Sequence, residues 1–204
     1  MSPKIVNKEE KRREILDAAV RVFADRGLKN SRIADIAIAA GIGKGTIYEY
    51  FRNRDEMLVE AFNLFFGELQ KKMESELATV DSPRDKIARS IRLLFDAFSH
   101  IPPDMMVLMI DFWAEGIHRG YDKGGTLLNL APIYRQFRQH LVEILKEGVK
   151  AELFRAMDEV AAASIMMAII DGLMLQLIVD RKAFDYQSTV DETINIILTG
   201  IETK

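Results

Sequence analysis

The stretch "GIGKGTIYEYF", residues 41–51, places Gly43 and Gly45 on either side of Lys44 and follows them with Tyr48 and Tyr50 on either side of Glu49. Glycines around a lysine suit two purposes: a loop that cradles phosphates, or a tight turn that leads into a short displayed helix. Ile47 and Phe51 stand four residues apart, so on a helix they share one face. At about 100° per residue, Tyr48 and Tyr50 then flank that apolar seam, while Gly45, Thr46 and Glu49 cover the outward side. A phosphate loop needs a strand before it and the spacing G-x-x-x-x-G-K-[ST], and this stretch has neither. The spacing therefore predicts a short helix anchored by two apolar residues, with its other side chains on display.

The residues upstream complete a unit around it. Ile15, Ala18, Ala19, Val22 and Phe23 fall at i, i+3, i+4, i+7 and i+8, the stripe of an amphipathic first helix. Gly27 is placed to close that helix. Ser31 is placed to cap a short second helix burying Ile33, Ile36, Ala37 and Ala40, which Gly41 ends. A helix, a short helix, a glycine turn and a display helix make a helix-turn-helix.

Charge supports this division. The chain carries a formal net charge of −3, yet residues 1–55 hold twelve bases against eight acids, a head of +4 on a body of −7. A basic head suggests that the head alone meets a polyanion. The sequence has no Cys, which excludes disulfides and thiolate metal sites. Its first residues, "MSPKIVNKEEKRREI", are charged, unlike a secretory leader. The longest apolar run, "AAASIMMAIIDGLMLQLIV" (residues 161–179), is interrupted by Asp171 and Gln176 and reads as a packed helix before it reads as a membrane span. A cytoplasmic protein is expected.

Beyond residue 54 helical periodicity continues without a strand pattern or repeat. A long helix begins near Asp55, another at Pro83, another near "MMVLMIDFWAEGI", and three more follow the glycine loop "HRGYDKGGT". The expectation is an all-α chain of about nine helices, with residues 1–54 a DNA-binding domain and 55–204 a helical ligand-binding and dimerisation domain.

The stretch "ILDAAVRVFADRGLKNSRIADIAIAAGIGKGTIYEYFRNRDEML", with its pattern IA-x-x-AG-x-x-KGT-I-Y-x-YF, resembles the N-terminal DNA-binding domain of TetR-family transcriptional regulators. The resemblance covers about residues 12–58. It implies that Ser31 caps the second helix and touches phosphate, and that Lys44, Gly45 and Thr46 open a recognition helix close to the DNA backbone. It further implies that Tyr48 and Tyr50 contact phosphates and bases and that Arg54 pins the backbone. Each role has a physical reason. A glycine lets a helix N-terminus approach phosphate, cations displace counterions, and tyrosines hydrogen-bond phosphate while their rings pack on sugars or thymine methyls. Three positions depart from the family's pattern. Gly43 stands where serine is usual, Ala34 where a polar residue is usual, with Arg32 as its substitute, and Glu49 puts an acid on the outward face.

One such unit buries too little surface for specificity, so two are expected, with half-site centres roughly 34–36 Å apart or a multiple of that. Pairing of the last two helices with their symmetry mates would present them, through Ala162, Ile165, Met166, Ile169, Leu173, Ile194 and Ile197. The family further implies a small-molecule pocket in the body. Its candidate lining is Phe66, Phe98, Met109, Trp113, Phe137, Asp171 and Met174, although plain core packing accounts for such residues as readily. The expected function is a homodimeric regulator, a repressor in this reading, that binds a double-stranded operator and is released by a largely apolar effector. A body that serves a protein partner without an effector is the alternative. An enzyme is a third class: Glu115 and His118 form half of a di-iron motif, but no second copy exists. His100, His118 and His140 show no catalytic arrangement, so neither catalytic residues nor metal or other cofactors are expected.

Overall fold

In the computed structural model, residues 7–28, 30–99, 106, 109–111, 114, 131–180 and 182–203 are described. Eight complete helices lie within them: α1 (Lys8–Arg26), α2 (Ile33–Ala39), α3 (Lys44–Tyr50), α4 (Arg54–Leu77), α5 (Pro83–Ser99), α6 (Ala131–Lys150), α7 (Glu159–Val179) and α8 (Tyr186–Ile201). Met106, residues 109–111 and Ala114 are also helical and mark the place of the ninth expected helix. The chain falls into two compact units. The first gathers the described residues up to Gly67 with Met106, residues 109–111 and Ala114. The second gathers residues 68–99 with Ala131 onward. The helix α4 contributes to both.

The first unit forms as its side-chain pattern dictates. Ile15, Ala18, Ala19, Val22 and Phe23 are all buried; α1 packs on α2 and α2 on α3, with Ile36 and Ala37 of α2 and Ile47 and Phe51 of the α3 seam buried as well. Ile33 and Ala40 of the expected α2 stripe are only half-buried. Side chains and glycines terminate the helices. Asn7 accepts from the Glu9 and Glu10 amides at the start of α1, and Gly27 closes it at φ 73. Gly41, at φ 65, ends α2 in a Schellman turn: its N–H reaches the Ile38 carbonyl at 3.1 Å, and Ile42 N–H reaches Ala37 at 3.0 Å. At seven residues α3 is too short to hold helix alone. Burial of Ile47 and Phe51, each worth about 1.5–3 kcal/mol, holds it in place.

In the second unit α5 packs on α6, α7 and α8, and α6 packs on α7. Asp158 caps α7 through the Val160 and Ala161 amides, and Asp185 caps α8 through Ser188. Among the described residues α7 is the one helix long and apolar enough to cross a membrane by length and composition, yet only 28% of its most apolar window is buried. Its apolar character therefore extends well outside the core of the protomer.

Candidate nucleic-acid interface

The turn into α3 leaves its N-terminus open. Gly43 is the N-cap residue, in extended backbone, and no side chain caps the helix. A Cβ on Gly43 would come no closer than 3.9 Å to Thr46 Oγ1, so serine would fit without strain. A Cβ on Gly45 would meet nothing within 4 Å. The fold itself therefore does not require a glycine at 45. Lys44 is exposed and its Nζ stands 6.0 Å from the Tyr48 ring centroid, at the outer limit of a cation–π contact. Tyr48 is 51% exposed, Tyr50 and Thr46 are half-buried, and Arg32 and Glu49 are exposed. Neither Lys44 nor Tyr48 has a hydrogen bond or ion pair among the described residues. Lys44, Gly45 and Tyr48 are thus all exposed, while Ile47 and Phe51 are buried.

One expectation needs correction. Ser31 does not cap α2: the N-cap is Arg32, whose own amide donates to Asp35 Oδ2 at 3.2 Å. Ser31 is 3% exposed, and its hydroxyl donates to the Gly27 and Val22 carbonyls at 2.7 and 3.2 Å. The Gly27 carbonyl lies just past α1, where helical partners run out, so the hydroxyl satisfies it and is withdrawn from the surface. Arg54, half-buried, has partners within the head. Its guanidinium donates to the Leu28 carbonyl and to the Ser31 carbonyl at 3.2 Å, and lies 3.6 Å from Asp55. It staples the start of α4 to the turn between α1 and α2.

The body candidates fall in both units. Phe66 and Met109 belong to the first, and Phe98, Phe137, Asp171 and Met174 to the second; Trp113 lies outside the described residues, as do His100, Glu115 and His118. On α4, Phe66 packs against Phe65 edge-on at 5.2 Å and lies 6.5 Å from Phe62. Met109 and Met174 are buried. Among the described residues, Asp171 accepts a hydrogen bond from Tyr134 Oη at 3.1 Å. Burial holds the Asp171 carboxyl above its ordinary pKa, with the Tyr134 hydrogen bond working against it, and burial beside Asp171 raises the Tyr134 phenol. His140 is half-buried, its Nε2 lacks a hydrogen-bond partner among the described residues, and burial lowers its pKa.

A pH prediction follows from Asp171. A carboxyl raised in the folded state binds protons more tightly there than in the unfolded chain. Its contribution to stability is therefore greatest at low pH and is lost as pH climbs from the ordinary value of 3.8 through the raised one. Asp171→Asn is expected to raise Tm at pH 7–8, by about 2–4 °C per kcal/mol gained. The gain should shrink toward zero near pH 4, the ordinary carboxyl range. Thermal melts of both proteins across that range check it.

The dimerisation candidates divide sharply. Ile165 of α7 is 62% exposed, whereas Met166, Ile194 and Ile197 are buried in the protomer, and Ala162, Ile169 and Leu173 are half-buried. Met166 and Ile197 nonetheless floor an open groove of about 400 Å³ between α7 and α8, with Ala162, Ile165 and Ile169 along it. Ile194 and Leu173 do not line it. Ile196, 61% exposed, does, and was not foreseen because the α8 run "INIIL" is apolar on adjacent positions.

The geometry agrees with known proteins. The profile of bacterial regulatory proteins, tetR family, matches residues 15–61, and that of BetI-type transcriptional repressors, C-terminal, matches residues 83–199. The fatty acid metabolism regulator protein of Bacillus subtilis is 25% identical over 97% of this chain and 98% of its own length. The transcriptional regulator BetI of Paraburkholderia phytofirmans is 26% identical over 98% of this chain and all of its own. Among solved structures, a putative transcriptional regulator from Saccharomonospora viridis in complex with choline superposes with a TM-score of 0.82 at 25% identity, covering 96% of this chain and 100% of that one.

Proposed function

Because this chain belongs to the tetR family of bacterial transcriptional regulators and carries a BetI-type C-terminal domain, we propose that it acts as a cytoplasmic homodimeric repressor, released from a pseudo-palindromic operator by a small organic effector. In this reading residues 1–54 carry the DNA contacts, and 55–204 carry effector binding and dimerisation. The observation that supports it most directly is the exposed start of α3, where Lys44 and Tyr48 have no side-chain hydrogen bond or ion pair among the described residues and a Cβ at Gly45 would meet nothing within 4 Å. A helix start without a side chain at Gly45 offers free N–H groups and a positive dipole end to a phosphate. Lys44 adds a counterion-releasing charge. Tyr48 reaches groove edges, with Thr46, Tyr50 and Arg32 beside it. The choline held by the Saccharomonospora viridis regulator favours a small organic molecule as the signal here. An effector of this kind lowers DNA affinity by preferring a state whose two heads are wrongly spaced.

The test is a binding titration on a duplex selected from a random pool. Lys44→Ala is expected to weaken all sequences nearly alike and to reduce the magnitude of the salt slope by about one. Tyr48→Ala is expected to cost about 1–3 kcal/mol on the selected duplex and less on random DNA. Wild-type protein that selects no duplex, or a Lys44→Ala variant with an unchanged salt slope, would sink this reading of α3.

A further inference from the structure

By composition Arg12 is one of the twelve bases that make the head positive. Its surroundings give it another role. Its Nε donates to Glu60 Oε1 at 2.6 Å, and its Nη2 pairs with Glu60 Oε2 and lies 3.7 Å from Glu56 Oε1. Its Nη1 donates to the Tyr50 carbonyl, and the guanidinium carbon stands 4.2 Å from the Phe51 ring centroid. One planar group therefore touches three helices at once: α1 through its own backbone, the last turn of α3 through Tyr50 and Phe51, and one face of α4 through Glu56 and Glu60.

These contacts sit where α3 is weakest. The Tyr50 carbonyl is one of the terminal acceptors that a helix cannot satisfy internally. A charged donor bonds it more strongly than a neutral one would. Ile47 and Phe51 fix the depth of this seven-residue helix, and the Arg12 fork fixes its C-terminal end relative to α4. A lysine could not reproduce the arrangement, because a point charge engages one acceptor well while the guanidinium fork engages several in a plane.

We propose that Arg12 is a positioning residue for DNA binding, transmitting the placement of the first turns of α4 to the recognition helix α3 through the Glu60–Arg12–Tyr50 bridge. The inference rests on the DNA reading of α3 given above. Arg12 touches no DNA in this scheme, and its removal disturbs the angle at which Lys44 and Tyr48 are presented. The loss should therefore fall on specificity, since a misdirected helix still offers its charges to any phosphate but no longer brings Tyr48 to base edges.

The full-length chain is titrated with the selected duplex and with random-sequence duplex at several salt concentrations, well below each variant's Tm. Arg12→Lys is expected to weaken the selected duplex about tenfold, roughly one good contact's worth. Random duplex should change less than twofold, and the salt slope should stay at the wild-type value. Glu60→Gln should act alike, and the double variant should lose no more than either single one, because both break the same bridge. Three results overturn the proposal. A salt slope reduced by about one makes Arg12 a phosphate contact. A lowered Tm with normal affinity of the folded protein makes the bridge a matter of stability alone. Fully additive losses mean that the two residues do not act through each other. The Lys44→Ala variant serves as control. If its slope falls while Arg12→Lys changes nothing, only this inference fails. If wild-type protein binds no duplex, the DNA reading fails with it.

Discussion

Phe154→Ala is expected to destabilise the protein by about 3–5 kcal/mol, the cost of removing a buried aromatic ring. Phe154 is 2% exposed and lies in the short connection between α6 and α7. Its ring occupies the space beside Gly148 of α6, where a Cβ would fall 2.0 Å from Phe154 Cδ2. The connection bends back on itself. Glu152 takes the left-handed φ of 58, and the amides of Leu153 and Phe154 both reach the Gly148 carbonyl, at 3.0 and 3.1 Å. It is also tied to the end of the chain, with Arg155 N–H on the Ile201 carbonyl at 2.9 Å and Thr203 N–H on the Leu153 carbonyl at 3.1 Å. Emptying the Phe154 site leaves a cavity under both ties. Gly148→Ala tests the same contact from the other side. Alanine is the better helix former by about 0.5–1 kcal/mol, yet the added methyl must displace the ring, so a net loss of about 1–3 kcal/mol is expected. Urea denaturation at one fixed protein concentration measures both, the concentration being held because the proposed dimerisation would contribute to apparent stability. Unchanged midpoints would mean that the Phe154 ring does not pack on Gly148.

On the proposed dimer, Ile165→Glu is expected to give monomers at micromolar concentration and to weaken operator binding by about a thousandfold. The side chain is 62% exposed in the protomer, so the glutamate costs the monomer little, and it sits in the apolar groove between α7 and α8. Across a two-fold axis each substitution is made twice. Losing a central apolar anchor costs about 2 kcal/mol or more per copy, and two copies give about 4 kcal/mol, or three orders of magnitude. Light scattering reads the assembly, and titration with the selected duplex reads the binding. A glutamate variant that remains a dimer would move the interface away from α7 and α8. Met166→Glu separates core from interface: that residue is 3% exposed and floors the same groove, so its substitution should unfold the protomer as well as divide the dimer.

The sequence was most informative where the physics is local. The five-residue stripe of α1 was legible because an apolar set with a 3.6-residue period has one way to be buried, and all five positions are buried. The direction of α3 was legible for the same reason: Ile47 and Phe51 define a seam and are buried, and Gly45 and Glu49, placed on the outward side, are exposed. Gly27 and Gly41 announced helix ends that need positive φ, and both adopt it. The all-helical class and the tetR-type head followed from these elements together.

The polar roles and the division of the body were not legible. From the sequence Ser31 and Arg54 read as DNA contacts, and Arg12 only as one of the head's bases. Their partners are carbonyls and carboxylates nine to forty-eight positions away, apart from Gly27, four before Ser31, and Asp55 beside Arg54. Spacing along a chain encodes which face of a helix a charge occupies, but not what the fold brings opposite that face. The same limit applies to α7. An apolar residue follows the same pattern whether it is covered by its own protomer or by another copy, because water is excluded in both cases and the free energy per unit of buried area is the same. The sequence by itself therefore determined that α7 is a long apolar run interrupted by Asp171 and Gln176, and that a two-residue seam anchors α3. Only the tertiary structure decided that Met166 faces inward while Ile165 and Ile196 face outward, and that Arg12 bridges α3 to α4, because those outcomes depend on which surfaces the folded chain sets against one another.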